Sequence, residues 1–260
     1  MKHRNVLITG ASGGIGYELA KRFAANQCNL ILVARDRARL EEIRSELTAP
    51  EVDITIIEKD LTEPMSASEV YEETARRNIR VHVLVNNAGI GWYGPFRESP
   101  LRQQLRMIRL NATAVTELTY LYVNDMIEDR YGRILNIASI SSFLPTPMMS
   151  VYAATKAYVS SFSEALNSEL RNQGDISVTA LCPGFTKTNF LEKANLQPME
   201  ALLGNIALDP AVVARDGYRA LLGKKAIRIS GGLNKFLYAM IRALPRSWMR
   251  TSAALVFKKP

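Results

Sequence analysis

Cysteine and histidine are scarce in this sequence, acidic charge is absent from its C-terminal region, and each lack closes off a class of chemistry. Only two cysteines and two histidines occur in 260 residues. Cys28 and Cys182 each lie in or beside an apolar run of strand-like composition, which suits small core residues of a reducing compartment better than a disulfide. His3 and His82 stand apart from any Cys, Asp or Glu cluster at ligand spacing, so no metal site is expected, and His82 reads as a strand residue. No stretch approaches the roughly 18 consecutive apolar residues of a membrane span. The opening Met1-Lys2-His3-Arg4-Asn5 runs into a strand without the apolar region and small-residue cleavage site of a signal peptide. A soluble cytoplasmic protein is the expectation. Acidic residues are missing altogether from one region: Gly217 to Pro260 holds ten Lys or Arg and no Asp or Glu, in a chain of net charge +8. The body is therefore nearly neutral, its basic character is confined to the C-terminal end, and no nucleic-acid partner is expected.

What is present is a rhythm of strands and helices in a chain that is 47% hydrophobic, enough to bury one substantial α/β core. Val6-Leu7-Ile8 runs directly into Thr9-Gly10-Ala11-Ser12-Gly13-Gly14-Ile15-Gly16 and then a helical pattern to about Ala25. A strand, a glycine-rich turn and a helix N-terminus make a phosphate cradle, because backbone N–H groups and the positive end of the helix dipole favour an anion. The spacing Gly10-xxx-Gly14-x-Gly16 departs from the common G-x-G-x-x-G pattern. The second strand, Asn29–Val33, is followed by Ala34 and Arg35, with Arg37 and Arg39 close behind. An acid near this strand end would bond a ribose hydroxyl, whereas an arginine accommodates a 2′-phosphate, so the expectation is NADPH over NADH with Arg35 as the main partner. A helix over Arg37–Leu47, a strand over Asp53–Glu58, a helix over Ser66–Arg77 and a strand over Val81–Val85 follow. This alternation predicts a Rossmann-like, doubly wound parallel sheet with helices on both faces. Asp60 and Leu61 follow the third strand, within reach of an adenine. Asn86-Asn87-Ala88-Gly89 closes the fourth, where cofactor packing and bracing of strand ends both fit. A long helix from Pro100 to Asp129 then carries Asn111, a poor helix former at that position.

Proton chemistry points to Val151–Tyr158. On a helix Tyr152 and Lys156 stand at i and i+4, on one face. An ammonium beside a phenol favours the phenolate and brings its pKa, about 10 when free, toward neutrality. Tyr17 and Lys21 share this spacing, but only the later pair has a hydroxyl delivered upstream by a strand end: Ser139, closing Ile134–Ala138, where Arg4 stands at the equivalent offset from Tyr17. Tyr17 and Lys21 therefore read as an exposed helix face.

Thr9-Gly10-xxx-Gly14-Ile15-Gly16, Asp60, Asn86-Asn87-Ala88-Gly89, Asn111, Ser139, Tyr152-xxx-Lys156 and Pro183-Gly184-xxx-Thr188, in this order, resemble the short-chain dehydrogenase/reductase superfamily, and the arginine after the second strand resembles its NADP(H)-preferring members. The resemblance covers roughly residues 5 to 190. It implies hydride transfer between nicotinamide and a carbonyl or secondary alcohol, with Tyr152 as general acid/base, Ser139 orienting the carbonyl oxygen, and Lys156 lowering the Tyr152 pKa and binding the nicotinamide ribose. Asn111 would hold a relay water, and Pro183, Gly184, Thr186 and Thr188 would border the nicotinamide. The helices carrying Asn111 and Tyr152 would pack against a partner's, giving a homodimer or homotetramer. Two rivals remain: a dinucleotide-binding regulator without turnover, and an epimerase or dehydratase on the same fold.

The loops at the strand ends are apolar: Trp92, Tyr93 and Phe96; Phe143, Leu144, Met148 and Met149; Phe185, Phe190 and Leu191. They fit an apolar substrate, lipid-, acyl- or steroid-like, and equally a lid or core packing. Residues 1–230 read as the catalytic domain, ending in a strand Ala226–Ser230, and residues 231–260 as a basic helical extension. In that extension Leu233, Phe236, Leu237, Met240, Ile241 and Leu244 form one helical stripe, Pro245 ends it, and a second apolar segment ends in Val256-Phe257. Packing on the active site or a neighbouring subunit, peripheral membrane contact through residues 232–260, and binding of an acidic acyl carrier all fit this pattern.

Overall fold

The computed structural model describes residues 1–196 and 206–244. Strands β1 (Asn5–Thr9), β2 (Asn29–Ala34), β3 (Ile54–Glu58), β4 (Val83–Asn86), β5 (Tyr131–Ile137), β6 (Asp175–Cys182) and β7 (Ile227–Ile229) form one sheet in the order β3-β2-β1-β4-β5-β6-β7. Every pairing is parallel. The helices are α1 (Gly14–Ala24), α2 (Arg37–Leu47), α3 (Ser66–Arg76), α4 (Leu101–Ile108), α5 (Ala114–Glu128), α6 (Ser150–Glu169), α7 (Phe190–Lys193), α8 (Pro210–Leu222) and α9 (Gly232–Ala243).

The continuous apolar strands follow from burial on both faces. Successive residues point to opposite sides, so Val6, Ile8, Leu30 and Leu32 pack with Leu19 and Phe23 of α1, Leu40 and Ile43 of α2, and Val213 and Leu221 of α8. Leu7, Ile31, Val33 and Leu84 pack on the other side with Ala67 and Val70 of α3 and Leu118, Tyr122 and Met126 of α5. From β1 the chain winds outward to β3, then returns to lay β4 on the other flank of β1. That reversal opens a crevice beyond the carboxyl ends of β1 and β4, where open α/β sheets bind ligands.

Several boundaries differ from those expected. His82 lies just before β4, accepting a hydrogen bond from the Asn5 N–H at 3.1 Å, and burial first and Arg4 second push its imidazole pKa down. Strand β5 begins at Tyr131 rather than Ile134: Arg133 is 5% exposed, and its guanidinium reaches Asp175 of β6 at 2.9 Å, so a charged residue sits within the sheet. The predicted helix from Pro100 to Asp129 is interrupted by a π-helical turn at Arg109–Thr113, flanked by α4 and α5. Asn111 occupies this turn and is fully buried. Tyr17 and Lys21 are structural, though not simply exposed: the Tyr17 hydroxyl donates to Glu46, tying α1 to α2, while Lys21 pairs with Glu18 at 3.3 Å. Both cysteines are free and buried, and burial pushes the Cys182 thiol up to about 12.

Buried polar side chains lock β4 and β5 to the helices over them. Asn86 donates to Thr119 of α5 at 3.1 Å and to Asn136 at 2.9 Å, and Asn136 donates to Ser163 of α6 at 2.9 Å. Asn86 is thus a brace. Removing one member strands buried partners, so Asn136→Ala should lower unfolding stability in urea by about 1–3 kcal/mol; an unchanged midpoint would show that the brace carries no load.

Candidate active site

The carboxyl ends of the strands surround a cavity of about 900 Å³. Its wall contains Gly10, Ser12, Gly13, Gly14, Ile15, Arg35, Asp60, Leu61, Asn87, Ala88, Gly89, Ser139, Tyr152, Lys156, Pro183, Gly184, Thr186 and Thr188. Of the candidate catalytic and cofactor-binding residues, Gly16 and Asn111 lie outside that wall. Gly16 is buried beneath the turn, against the Gly10 carbonyl.

The phosphate end is built by α1. No side chain caps its N-terminus and no acidic residue stands in its first turn, so its dipole meets the cavity unopposed. Gly10 has φ of +65°, and a Cβ there would lie 2.9 Å from the Ala88 Cα, so the turn closes only with glycine. Across the cavity Thr188 approaches: a Cβ on Gly14 would meet its Cγ2 at 2.9 Å. A cradle kept open by an absent side chain, at an uncapped helix start, fits a pyrophosphate. Asn87 answers both readings of its motif, because its amide donates to the Thr9 and Gly10 carbonyls at 2.9 and 3.1 Å while the residue lines the cavity.

Arg35 is exposed at the end of β2, 3.6 Å from Asp60. Asp60 accepts from the Thr62 N–H and hydroxyl at 2.9 and 2.8 Å, and Arg106 of α4 stands 3.4 Å away. Burial raises the Asp60 pKa, but the Thr62 bonds and the two arginines outweigh it and hold the carboxyl below its usual value. Thr62 and Arg106 were not identified in the sequence, since neither belongs to a local motif and Arg106 arrives from a distant helix. The residues present fit a dinucleotide with a phosphorylated ribose.

At the other end, Ser139, Tyr152 and Lys156 converge. The Ser139 oxygen accepts from the Ser141 N–H at 3.2 Å and hydroxyl at 2.9 Å. Ser141 thereby orients Ser139, a role hidden in sequence because it depends on the tight turn after β5. Lys156 is 5% exposed, its ammonium donates to the Ile137 carbonyl at 2.7 Å, and it lies 5.9 Å from the centre of the Tyr152 ring. The expected pKa pattern is reversed. Burial pushes the Tyr152 phenol up to about 12, with the Ser139 hydroxyl drawing it back, while burial brings Lys156 down to about 8. The group drawn toward neutrality is the lysine, because desolvation outweighs the opposing pull of Cys182. Asn111 accepts from the Ile90 N–H at 3.0 Å and donates to the Ile90 carbonyl at 2.9 Å and to Thr155 at 3.2 Å. Its side chain holds the β4 loop and α6 together, and a Cβ on Gly89 would lie 3.3 Å from the Lys156 nitrogen and 3.4 Å from the Asn111 oxygen.

The apolar loop residues divide by place. Leu144, Met149, Phe185, Phe190 and Leu191 line the cavity, and Phe190 lies against Tyr152 with ring centres 5.5 Å apart. Tyr93, Met149, Leu191, Ala194 and Leu196 form a small buried cluster behind them, with Met148 packed on it. Phe96 points outward, 63% exposed, and Phe143 packs against Tyr238 of α9. Cavity lining and core packing are both present, and Met149 and Leu191 take part in both.

The short chain dehydrogenase family model matches residues 4–198, and the chain belongs to that family. Among curated relatives, a very-long-chain 3-oxoacyl-CoA reductase of Pyrenophora tritici-repentis is 33% identical over 173 residues, covering 65% of this chain and 51% of the relative. The chain spans about half the length of that relative. Among solved structures, a short-chain dehydrogenase from Sphingobium yanoikuyae in complex with NADPH is 30% identical with a TM-score of 0.81, covering 93% of this chain and 96% of its own. The bulky-bulky ketone specific alcohol dehydrogenase from Comamonas testosteroni is also 30% identical, with a TM-score of 0.77 and coverage of 95% and 97%.

The buried lysine has a signature in stability. Its pKa falls from 10.5 to about 8 on folding, so between those values the unfolded chain binds more protons and stability rises with pH. Lys156→Met lacks this term. Its stability advantage over the unaltered protein should therefore shrink by up to about 3 kcal/mol as pH is raised from 8 to 10.5. Urea melts across that range, giving a constant difference, would contradict a depressed Lys156.

Proposed function

We propose that this chain is an NADPH-dependent reductase that converts a carbonyl on an apolar, lipid- or acyl-like substrate to a secondary alcohol. The observation that carries this reading is the convergence of Ser139, Tyr152 and Lys156 at one end of a single cavity whose other end holds the uncapped α1 N-terminus and Arg35. The NADPH complex of the Sphingobium relative supports the cofactor, and the names of the 3-oxoacyl-CoA reductase and ketone-specific relatives support a carbonyl substrate. The side chains of Leu144, Met149, Phe185, Phe190 and Leu191 favour an apolar body beside that carbonyl.

Bound nicotinamide supplies the hydride. The chain supplies position and the proton. Ser141 donates twice to the Ser139 oxygen, which leaves the Ser139 hydrogen for the substrate oxygen. Tyr152, protonated at neutral pH because burial raises its pKa to about 12, is the acid: a developing alkoxide is the stronger base and takes its proton. Lys156, with its pKa near 8, gains and loses protons in the working range and serves to restore the Tyr152 proton, through a water held near Asn111. Asn111 also positions the Ile90 backbone at the cavity edge. Arg35 binds the 2′-phosphate, with Arg106 sharing the Asp60 charge. A regulator that only binds dinucleotide has no use for this acid and its support, and that disfavours the rival reading.

Residues 1–230 form the catalytic unit in this reading, and 231–260 an extension. Exposed Leu101, Leu105, Ile108, Tyr120 and Tyr158 on α4, α5 and α6 supply an apolar face for a homodimer or homotetramer. No helix among the described residues is long and apolar enough to cross a membrane; we place the enzyme in the cytoplasm, with peripheral membrane contact through residues 232–260.

Ketones and aldehydes graded in hydrophobicity, assayed by NADPH oxidation, should be turned over faster as they become more apolar, and Tyr152→Phe should cut kcat by about 10²- to 10⁴-fold with NADPH binding kept. Equal turnover of sugar-like and lipid-like carbonyls would remove the substrate class. Arg35→Asp should lower the NADPH-to-NADH preference at least about tenfold, roughly 1.4 kcal/mol; an intact preference would reassign the phosphate site.

A further inference from the structure

Helix α9 turns its apolar stripe outward, Ile241 excepted. Among its described residues none is buried, and the side facing the body is carried by Asn234, Tyr238 and Ile241, which are half-buried. Asn234 donates to the Ser230 carbonyl at 2.7 Å and fills the space over Gly184, where a Cβ would meet its amide at 2.5 Å. Tyr238 stacks edge-on against Phe143 at 4.6 Å. The outward side presents Leu233, Phe236, Leu237, Met240 and Leu244, each 37% to 62% exposed. At 100° per residue these five lie within one arc.

We infer that this outward face of α9 lies on an anionic lipid surface and turns the substrate end of the cavity toward it. Charge selects this occupant over a second copy of the chain. Residues 231–260 carry six Lys or Arg and no Asp or Glu. Lys235 and Arg242 lie on the side of the helix opposite the apolar arc, the basic polar face of an interfacial helix, and no ion pair engages either of them among the described residues. A second copy would bring two such wholly basic extensions together, whereas anionic headgroups would attract them while Phe236, Leu237 and Met240 enter the acyl boundary. The inner side of the same helix touches Gly184, in the cavity wall, and Phe143, next to the lining residue Leu144. Docking would therefore set the mouth for an apolar substrate beside the lipid that dissolves it. The value of that arrangement rests on the reductase reading above; the lipid contact itself does not.

The test uses the full chain with phosphatidylcholine vesicles, with and without phosphatidylglycerol, in a flotation assay. The unaltered protein should float with the anionic vesicles, at least tenfold less in high salt, and the double variant Phe236→Glu, Met240→Glu should lose flotation at least tenfold. These positions are exposed, so the variant should keep NADPH-linked turnover of a water-soluble ketone, and it should lose rate only when a long-chain ketone is offered in vesicles. Light scattering without lipid should give the same mass for both proteins. A smaller mass for the variant would make the face an interface between copies and overturn the inference, as would flotation that is absent in the unaltered protein or intact in the variant. Flotation without turnover of any ketone would leave the lipid contact standing and sink the reductase reading instead.

Discussion

An ammonium buried with no carboxylate paired to it among the described residues is the constraint on which the site depends. Lys156 reaches its position because α6 runs across the end of β5 and offers its side chain to the Ile137 carbonyl. Desolvation then acts on both ionisable groups of the helix face, and it acts in opposite senses: it raises the phenol and lowers the amine. The two proton-carrying groups are thus pulled toward their neutral forms, and this shapes their division of labour. In the proposed mechanism Tyr152 keeps a proton to give, and Lys156, with its pKa brought down to about 8, restores it.

Around that pair the fold uses polar side chains as fasteners. Asn86, Asn136, Thr119 and Ser163 link the two central strands to α5 and α6, while Asn87 ties the end of β4 to the turn after β1. Asn111 joins the β4 loop to α6 from inside a π turn. At Asn111 and Asn136 asparagine suits the place because one short side chain both donates and accepts. Each bond costs little when made and much if broken, since its partners have no water to turn to. Of these contacts, those of Asn87 span the crevice between β1 and β4, where a dinucleotide would lie.

The apolar loops and α9 show the same residues serving two ends. Tyr93 and Leu196 build a small core that supports the lining residues Phe190 and Leu191. Tyr238 and Asn234 attach a helix whose other side is left bare. A helix stripe of apolar residues ordinarily faces the core; here the body is grasped by a polar and an aromatic side chain instead, and that inversion separates an appended element from a core element.

Much of this was legible in the sequence because it is local. Apolar runs alternating with helical periodicity, Gly10 and Gly14 at the first strand-to-helix turn, Arg35 after β2, and Tyr152 one helical turn before Lys156 all depend on neighbours close in the chain, where backbone geometry alone dictates who meets whom. The family and the sheet follow from that level. Only the tertiary structure decided the rest. The π turn at Asn111, the pairing of Arg106 with Asp60 and the outward turn of the α9 stripe depend on segments far apart in sequence meeting at a distance of a few ångströms. The inverted pKa order of Tyr152 and Lys156 belongs here too: proximity along a helix predicts how two charges act on each other, but burial, which overrides it, is a property of the whole packed molecule.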